Sequence, residues 1–220
     1  MDEIDLIRTI DASRYAEPQA LCTPSCRQAL VWSDWEMDLA KAMYEVLRSL
    51  ENALRCTISD RLSSHYGRDD WWKAKRLQLT HSTTKMIADA EKELLKESLP
   101  LTPAAIQRQV TLGFWVTLLG SGADYETQLW RPVSAGFPNY RGRRFPLWSR
   151  LNELRKLRNK VAHQERIGGR NLAADRHSAL TAIGYVSEPL ANRVEVADTA
   201  IPVLLANRPG ACPRRMGSES

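Results

Sequence analysis

One short segment carries side chains suited to acid–base chemistry at a phosphate group, namely Arg158-Asn159-Lys160-Val161-Ala162-His163. Histidine titrates near neutral pH, so His163 is suited to act as a general base or as a general acid. The guanidinium of Arg158 keeps its positive charge and offers a fork of N–H donors to phosphate oxygens. Asn159 is suited to orient either the phosphate or His163. Together these residue types fit the cleavage of a phosphodiester without a metal ion.

The spacing of arginine and histidine alone is weak evidence. Arginine followed by histidine after four to six residues occurs three times, at Arg158–His163, Arg76–His81 and Arg170–His177. The composition of the chain supplies about one such match by chance. Asparagine follows the arginine in two of them, and only Arg158–His163 falls within one predicted helix. There Asn159 and His163 are four residues apart and share a helix face.

Positive charge is concentrated around this segment. Residues 141–176 contain eleven Lys or Arg and three acidic residues, a net charge of +8, whereas the whole chain carries +5. Such a concentration is typical of a surface that binds a polyanion. A solvated basic helix face without a partner is the alternative interpretation.

The elements that must position this segment are predicted to be helices. Apolar residues recur every three or four positions from Trp35 to near Gly67, which predicts a long first helix. Leu147, Leu151, Leu154, Leu157 and Val161 give the same spacing in the basic segment, where Gly168-Gly169 is expected to stop the helix.

Four further helices are predicted between and after these two. Thr102-Pro103 reads as an N-cap with proline at the first helical position, and Pro189 marks an end or a kink. The expected ranges are Trp71–Glu97, Pro103–Gly120, Asp124–Val133 and Leu172–Glu188. No strand-like alternation or internal repeat is found, so the predicted fold class is an all-α helical bundle.

Length and composition indicate one soluble domain, or one domain with an appendage. The chain has 220 residues, 43% of them hydrophobic and 26% charged, which excludes wholesale disorder. We expect a weakly structured segment over 1–30, a helical domain over 31–206 and a disordered tail over 207–220. The acidic start Met1–Asp5 is unlike a secretory signal, and no apolar run is long enough for a membrane helix, so a cytoplasmic location without membrane contact is expected.

Two cysteines, Cys22 and Cys26, have a spacing that could belong to a metal site. No second pair or nearby histidine completes a set of four ligands. Structural zinc and incidental thiols are the two interpretations, of which the thiols are favoured. Neither a metal nor another cofactor is expected.

The surroundings of the Arg158–His163 segment resemble the abortive-infection (Abi-like) proteins of the HEPN ribonuclease superfamily. The segment Leu154–Ile167 is similar to the signature helix of that family. The order of the preceding segments is also similar, with Leu50–Arg55 followed by Trp71-Trp72, Gly113–Leu119, Leu129-Trp130 and Phe137-Pro138. The resemblance covers about residues 32–190. The sequence differs from the family pattern at Arg55-Cys56, where Arg-Asn is expected.

The resemblance implies a HEPN-type bundle with a long first helix and a basic motif helix near the C-terminal third. It implies a metal-independent endoribonuclease that acts on RNA in phage defence or as a toxin, with Arg158 and His163 catalytic and Asn159 supporting them. The basic residues expected to bind the RNA backbone are Arg155, Lys156, Lys160 and Arg166. Glu51 and Arg55 form either a second polar cluster of the site or a plain ion pair four residues apart.

A homodimer is expected as the working unit. Acid–base cleavage at one phosphate is most effective with two proton-transfer groups, whereas the motif supplies one histidine per chain. An antitoxin or a regulatory RNA is a further expected partner of a toxin.

Two other functions compete with this interpretation. One is a non-catalytic helical module of the same superfamily that binds RNA or protein. The other is a metal-dependent nuclease, for which the sequence has no acidic cluster of suitable spacing. His65, His81, His177 and most of the seven tryptophans are expected to be structural.

Overall fold

The computed structural model describes residues 27–122 and 124–210, and in these ranges the protein is built from helices without a strand. The all-α prediction is therefore confirmed. Nine α-helices fall in the described ranges: α1 Arg27–Tyr66, α2 His81–Lys96, α3 Pro103–Gln109, α4 Leu112–Leu118, α5 Arg131–Val133, α6 Arg144–Ala162, α7 Leu172–Val186, α8 Glu188–Ala197 and α9 Ala200–Ala206. The cysteine pair Cys22 and Cys26 lies outside the described residues, as do most of the two predicted terminal segments.

Helix α1 is the axis around which the other helices pack. It contacts α4, α5, α6, α7 and α9, and 40 residues make it about 60 Å long. The large apolar residues that carried its predicted spacing are buried: Trp35, Leu39, Met43, Val46, Leu47, Leu50, Leu54, Ile58 and Leu62. The helix begins eight residues before Trp35 and ends where Gly67 adopts a φ of 67°, a left-handed conformation that glycine adopts without strain.

The predicted helix from Trp71 to Glu97 is shorter in the structure. Trp71 and Trp72 form a 3₁₀ turn, and the helix α2 begins only at His81. The side chains of both tryptophans are buried, with their rings edge to face at 5.4 Å. A 3₁₀ turn allows these two adjacent rings to enter the core together. Thr80 then caps α2 by accepting a hydrogen bond from the Thr83 N–H.

The predicted helix from Pro103 to Gly120 is divided in two. The Thr102 cap is confirmed, since its hydroxyl accepts a hydrogen bond from the Ala105 N–H. Val110 takes an extended conformation with ψ of 146° and separates α3 from α4. Helix α3 packs against α2, whereas α4 packs against α1 and α6 as well as against α2. The break changes the direction of the chain and allows α4 to enter the core.

Helix α6 presents its leucines to the core as predicted. Leu147, Leu151, Leu154 and Leu157 are each at most 1% exposed, and the helix packs against α1, α4 and α7. Burial of this stripe fixes the rotation of α6 about its axis. The polar residues between the leucines are therefore held in fixed directions.

Helix α6 ends at Ala162, before the Gly168-Gly169 pair expected to stop it. The Glu165 N–H donates to the Lys160 carbonyl at 2.8 Å, and the Gln164 N–H donates to the Val161 carbonyl at 3.2 Å. This is a Schellman arrangement, in which the turning residue takes a left-handed conformation. Gln164 fills that position with a φ of 56°.

The predicted end at Pro189 is confirmed. Helix α7 stops at Val186, and Ser187 caps α8 by accepting a hydrogen bond from the Leu190 N–H. Pro189 lies in the first turn of α8, where its missing N–H costs nothing. None of the helices in the described ranges is both long and apolar enough to cross a lipid bilayer.

Candidate active site

His163 lies at the exposed C-terminal end of α6. It is the C-cap residue, and its N–H donates to the Asn159 carbonyl at 2.9 Å. The backbone hydrogen bond places it directly over Asn159, as the four-residue spacing predicts. The imidazole is therefore accessible to a large substrate at the end of the helix.

Arg158 points towards α1 rather than towards His163. Its Nε lies 3.7 Å from Oε2 of Glu51, and the two side chains are 21% and 16% exposed. This separation is too long for a hydrogen bond, and the Arg158 Nε has no hydrogen-bond partner among the described residues. The pair is held by charge rather than by a hydrogen bond, and the unpaired Nε of Arg158 is buried.

Glu51 is a largely buried carboxylate at the centre of this contact. Burial raises the pKa of Glu51 above its usual value of 4.5. Arg158, the backbone amide of Leu112 and Arg55 act in the opposite direction, because each favours the charged carboxylate. Glu51 thus links α1, the start of α4 and the motif helix α6.

Glu51 and Arg55 do not pair with each other, as the sequence interpretation had considered, but with other residues. The Arg55 Nη2 donates to Oδ1 of Asn52 at 2.7 Å, whereas Glu51 pairs with Arg158. The four-residue spacing therefore does not produce a direct ion pair. The second polar cluster and the motif segment nevertheless come together through Glu51 and Arg158.

Three of the four basic residues expected to bind RNA contact polar side chains that lie close to them in the chain. Arg155 donates to Oδ1 of Asn152 at 2.9 Å, Lys156 pairs with Glu153 at 2.7 Å and Lys160 pairs with Glu165 at 3.4 Å. The two lysine side chains are 52% and 41% exposed. Exposed pairs of this kind contribute at most about 1 kcal/mol, so a phosphate group can replace the acidic partner.

Arg166, the fourth, belongs to an anchored loop that sequence reasoning missed. Oε1 of Glu36 accepts hydrogen bonds from the Ile167 and Gly168 N–H groups, both at 2.6 Å, and Oε2 lies 3.2 Å from Nε of Arg166. A Cβ at Gly168 would lie 3.2 Å from the same carboxylate, so glycine allows this close approach. Glu36 thus fixes the chain that follows His163.

An open groove lies beside His163, between α1 and the end of α6. It has a volume of about 450 Å³ and is lined by Met37, Ala40, Lys41, Tyr44, Glu45, Val161, Ala162 and Gln164. Met37 and Tyr44 are 36% and 40% exposed. An apolar surface therefore borders the candidate catalytic histidine.

Within one chain Arg158 and His163 are not brought into contact. They are five positions apart, about 140° around an α-helix, and Arg158 is turned inwards while His163 is exposed. The other histidines lie elsewhere: His65 packs edge to face on Tyr66, His81 begins α2, and His177 is exposed on α7. No group of three His, Cys, Asp or Glu suited to a metal ion occurs in the described ranges.

Comparison with family models, curated proteins and solved structures finds no match for this chain. The assignment of a family and an activity therefore depends on the residues and on the geometry described above.

The raised pKa of Glu51 predicts how stability depends on pH. The folded protein binds a proton at Glu51 in a pH window above 4.5, where the unfolded chain has released it. The stability associated with Glu51 is therefore present below this window and is lost as the pH rises through the folded pKa. We expect the free energy of unfolding of Glu51→Gln to improve relative to wild type between about pH 4 and about pH 7.

Urea unfolding of both proteins across this range measures the difference. If the free energy of unfolding of the wild type instead rose relative to Glu51→Gln with increasing pH, the charge of Arg158 would outweigh the effect of burial. That result would contradict a raised pKa of Glu51.

Proposed function

We propose that this protein is a metal-independent endoribonuclease of the HEPN type, similar to Abi-like proteins that act in phage defence or as toxins. The observation that carries the proposal is the segment Arg158–His163 on α6, which combines an exposed histidine with an arginine held loosely by Glu51. The net charge of +8 over residues 141–176 supports RNA as the substrate.

The proposed reaction uses the 2′-hydroxyl of the RNA as the nucleophile. A base removes the proton from this hydroxyl, the O2′–P bond forms, and the P–O5′ bond breaks as the 5′ oxygen receives a proton. The products are a 2′,3′-cyclic phosphate and a 5′-hydroxyl. His163 serves as the base or the acid, and the scheme needs one further group for the opposite proton transfer.

Arg158 would stabilise the negative charge that develops on the phosphorus oxygens. Its guanidinium is close to Glu51 without a hydrogen bond to it, and its Nε is buried, so the side chain would turn away from Glu51 to bind a phosphate. Asn159, one residue further along α6, would orient the phosphate or His163. Glu51 is a positioning residue in this scheme, because it sets the resting direction of Arg158.

The need for a second proton-transfer group supports a homodimer. A two-fold axis beside the end of α6 would bring two copies of His163 to one cleft, and two-fold dimers are the commonest oligomers. The groove next to His163 exposes Met37 and Tyr44 of α1. These apolar contacts would offset the repulsion between the two basic helices.

A non-catalytic module of the same superfamily is the second candidate function. One observation favours it: the Arg158 side chain is directed at Glu51 and does not contact His163. In that case the basic surface of α6 would bind RNA or a protein without cleavage.

An antitoxin or a regulatory RNA is a proposed partner of the active form.

Replacement of the candidate catalytic residues separates the two functions. His163→Ala and Arg158→Ala should each lower the rate of RNA cleavage by at least about a hundredfold, because each removes a proton-transfer or charge-stabilising group. Growth inhibition on expression should be lost with it. Gel analysis of RNA incubated with purified proteins, with circular dichroism to verify folding, measures the effect.

The matched control is His177→Ala, which removes another exposed histidine from α7 and should retain wild-type activity. A His163→Ala protein that degrades RNA at the wild-type rate would exclude the catalytic role and favour the binding module.

A mixed dimer tests the composite site. A heterodimer of one wild-type and one His163→Ala subunit should have far less than half of the wild-type activity, because both histidines serve one phosphate. Tandem affinity tags isolate the heterodimer for this assay. Half activity in the mixed dimer, or full activity in a species that sediments as a monomer, would show that each chain carries its own site.

A further inference from the structure

The start of α6 carries an exposed aromatic side chain that the proposed catalytic site does not use. The side chain of Phe145 is 66% exposed. No other phenylalanine, tyrosine or tryptophan in the described residues is exposed to this extent. Its ring lies 5.2 Å from the ring of Trp148, with an angle of 37° between the planes. Two neighbouring rings at this angle, one of them open to solvent, provide a surface for stacking.

Positive charge precedes this pair of rings in the chain. Arg141 and Arg143 are exposed, and neither side chain forms an ion pair with another residue of the described ranges. Arg144, in contrast, is anchored: it binds Glu126 at 2.7 Å and donates to the carbonyls of Leu119 and Gly120. Two exposed cations thus lie two and four residues before Phe145 in the chain.

The backbone that presents these arginines is held in place. The Tyr140 hydroxyl donates to the Arg143 carbonyl at 2.8 Å. Gly142 lies so close to the Tyr140 ring that a Cβ at this position would overlap it. The loop thus has a defined shape before any ligand binds, which lowers the ordering cost of recognition.

Phe145 and His163 lie on the same face of α6. Eighteen positions separate them, which corresponds to about five helical turns and about 27 Å. Ser149 and Lys156 lie on this face between them and are both exposed. An interrupted strip of exposed residues therefore connects the aromatic patch with the candidate catalytic histidine, with the half-buried Asn152 and Asn159 also on this face.

We propose that Phe145, Trp148, Arg141 and Arg143 form a stacking subsite for single-stranded RNA whose backbone follows α6 to His163. This inference rests on the proposed function and adds a substrate class to it. An aromatic platform beside cations is the combination that binds unpaired bases with little sequence preference. At a stacked spacing of about 3.4 Å per nucleotide, the strip accommodates about eight nucleotides, and fewer in an extended strand.

Binding of uncleavable RNA tests the subsite independently of catalysis. The probe is a fluorescent 2′-O-methyl oligoribonucleotide of about twelve nucleotides, in which the blocked 2′ oxygen cannot act as a nucleophile. Phe145→Ala should weaken its binding by about tenfold, because one base loses its stacking partner. Phe145→Trp should retain wild-type affinity, because it supplies a ring of equal or larger area.

Two controls separate stacking from general effects. Leu95→Ala removes another exposed apolar side chain, 61% exposed on α2, and should leave binding unchanged. A duplex of the same length should bind wild type and Phe145→Ala equally, because paired bases cannot stack on the platform. Fluorescence anisotropy at fixed salt measures all of these affinities.

The outcomes distinguish this inference from the proposed function. Loss of single-strand binding in Phe145→Ala supports the subsite even if no variant or wild type cleaves RNA. Equal binding by wild type and Phe145→Ala, or an equal loss on the duplex, would overturn it. Binding to anionic phospholipid vesicles that depends on Phe145, without binding to the oligonucleotide, would also overturn it and assign the patch to a membrane surface.

Discussion

Burial of the leucine stripe of α6 against α1, α4 and α7 is the constraint on which the candidate site depends. Because Leu147, Leu151, Leu154 and Leu157 all face the core, the helix has only one rotation that satisfies them. That rotation turns Arg158 inwards to Glu51 and leaves His163 at the exposed end. Truncating one such leucine costs about 2–5 kcal/mol, so the core enforces these directions strongly.

The second constraint acts just beyond the helix. Gln164 turns the chain in a left-handed conformation, and Glu36 binds the N–H groups of Ile167 and Gly168. Together they hold the segment after His163 against α1. A flexible loop at this position would carry the imidazole through many orientations, whereas proton transfer requires a defined one.

The sequence predicts those features that follow from local periodicity. The buried faces of α1 and α6 and the Thr102 cap were found because period 3.6 and capping chemistry are local properties. The division between α3 and α4 at Val110 was missed, because the chain changes direction there to bury α4. The early end of α6 was missed for a similar reason, since a glutamine fills the place where glycine is typical.

For the candidate site, residue types were predictable but partners were not. Arg158, Asn159 and His163 were identified from type and spacing. The partner of Glu51 was sought at Arg55, four residues away on the same helix, whereas the structure supplies Arg158 from another helix. No local sequence pattern indicates the role of Glu36, because the N–H groups that it binds lie about 130 positions further along the chain.

Cleavage of single-stranded RNA in excess EDTA tests the central claim most directly, with DNA of the same sequence as the comparison. Because the 2′-hydroxyl is the proposed nucleophile and no metal takes part, the RNA should be cut to products that end in a 2′,3′-cyclic phosphate, and the DNA should remain intact. Loss of cleavage in EDTA with recovery on addition of magnesium, or cutting of the DNA, would contradict the account.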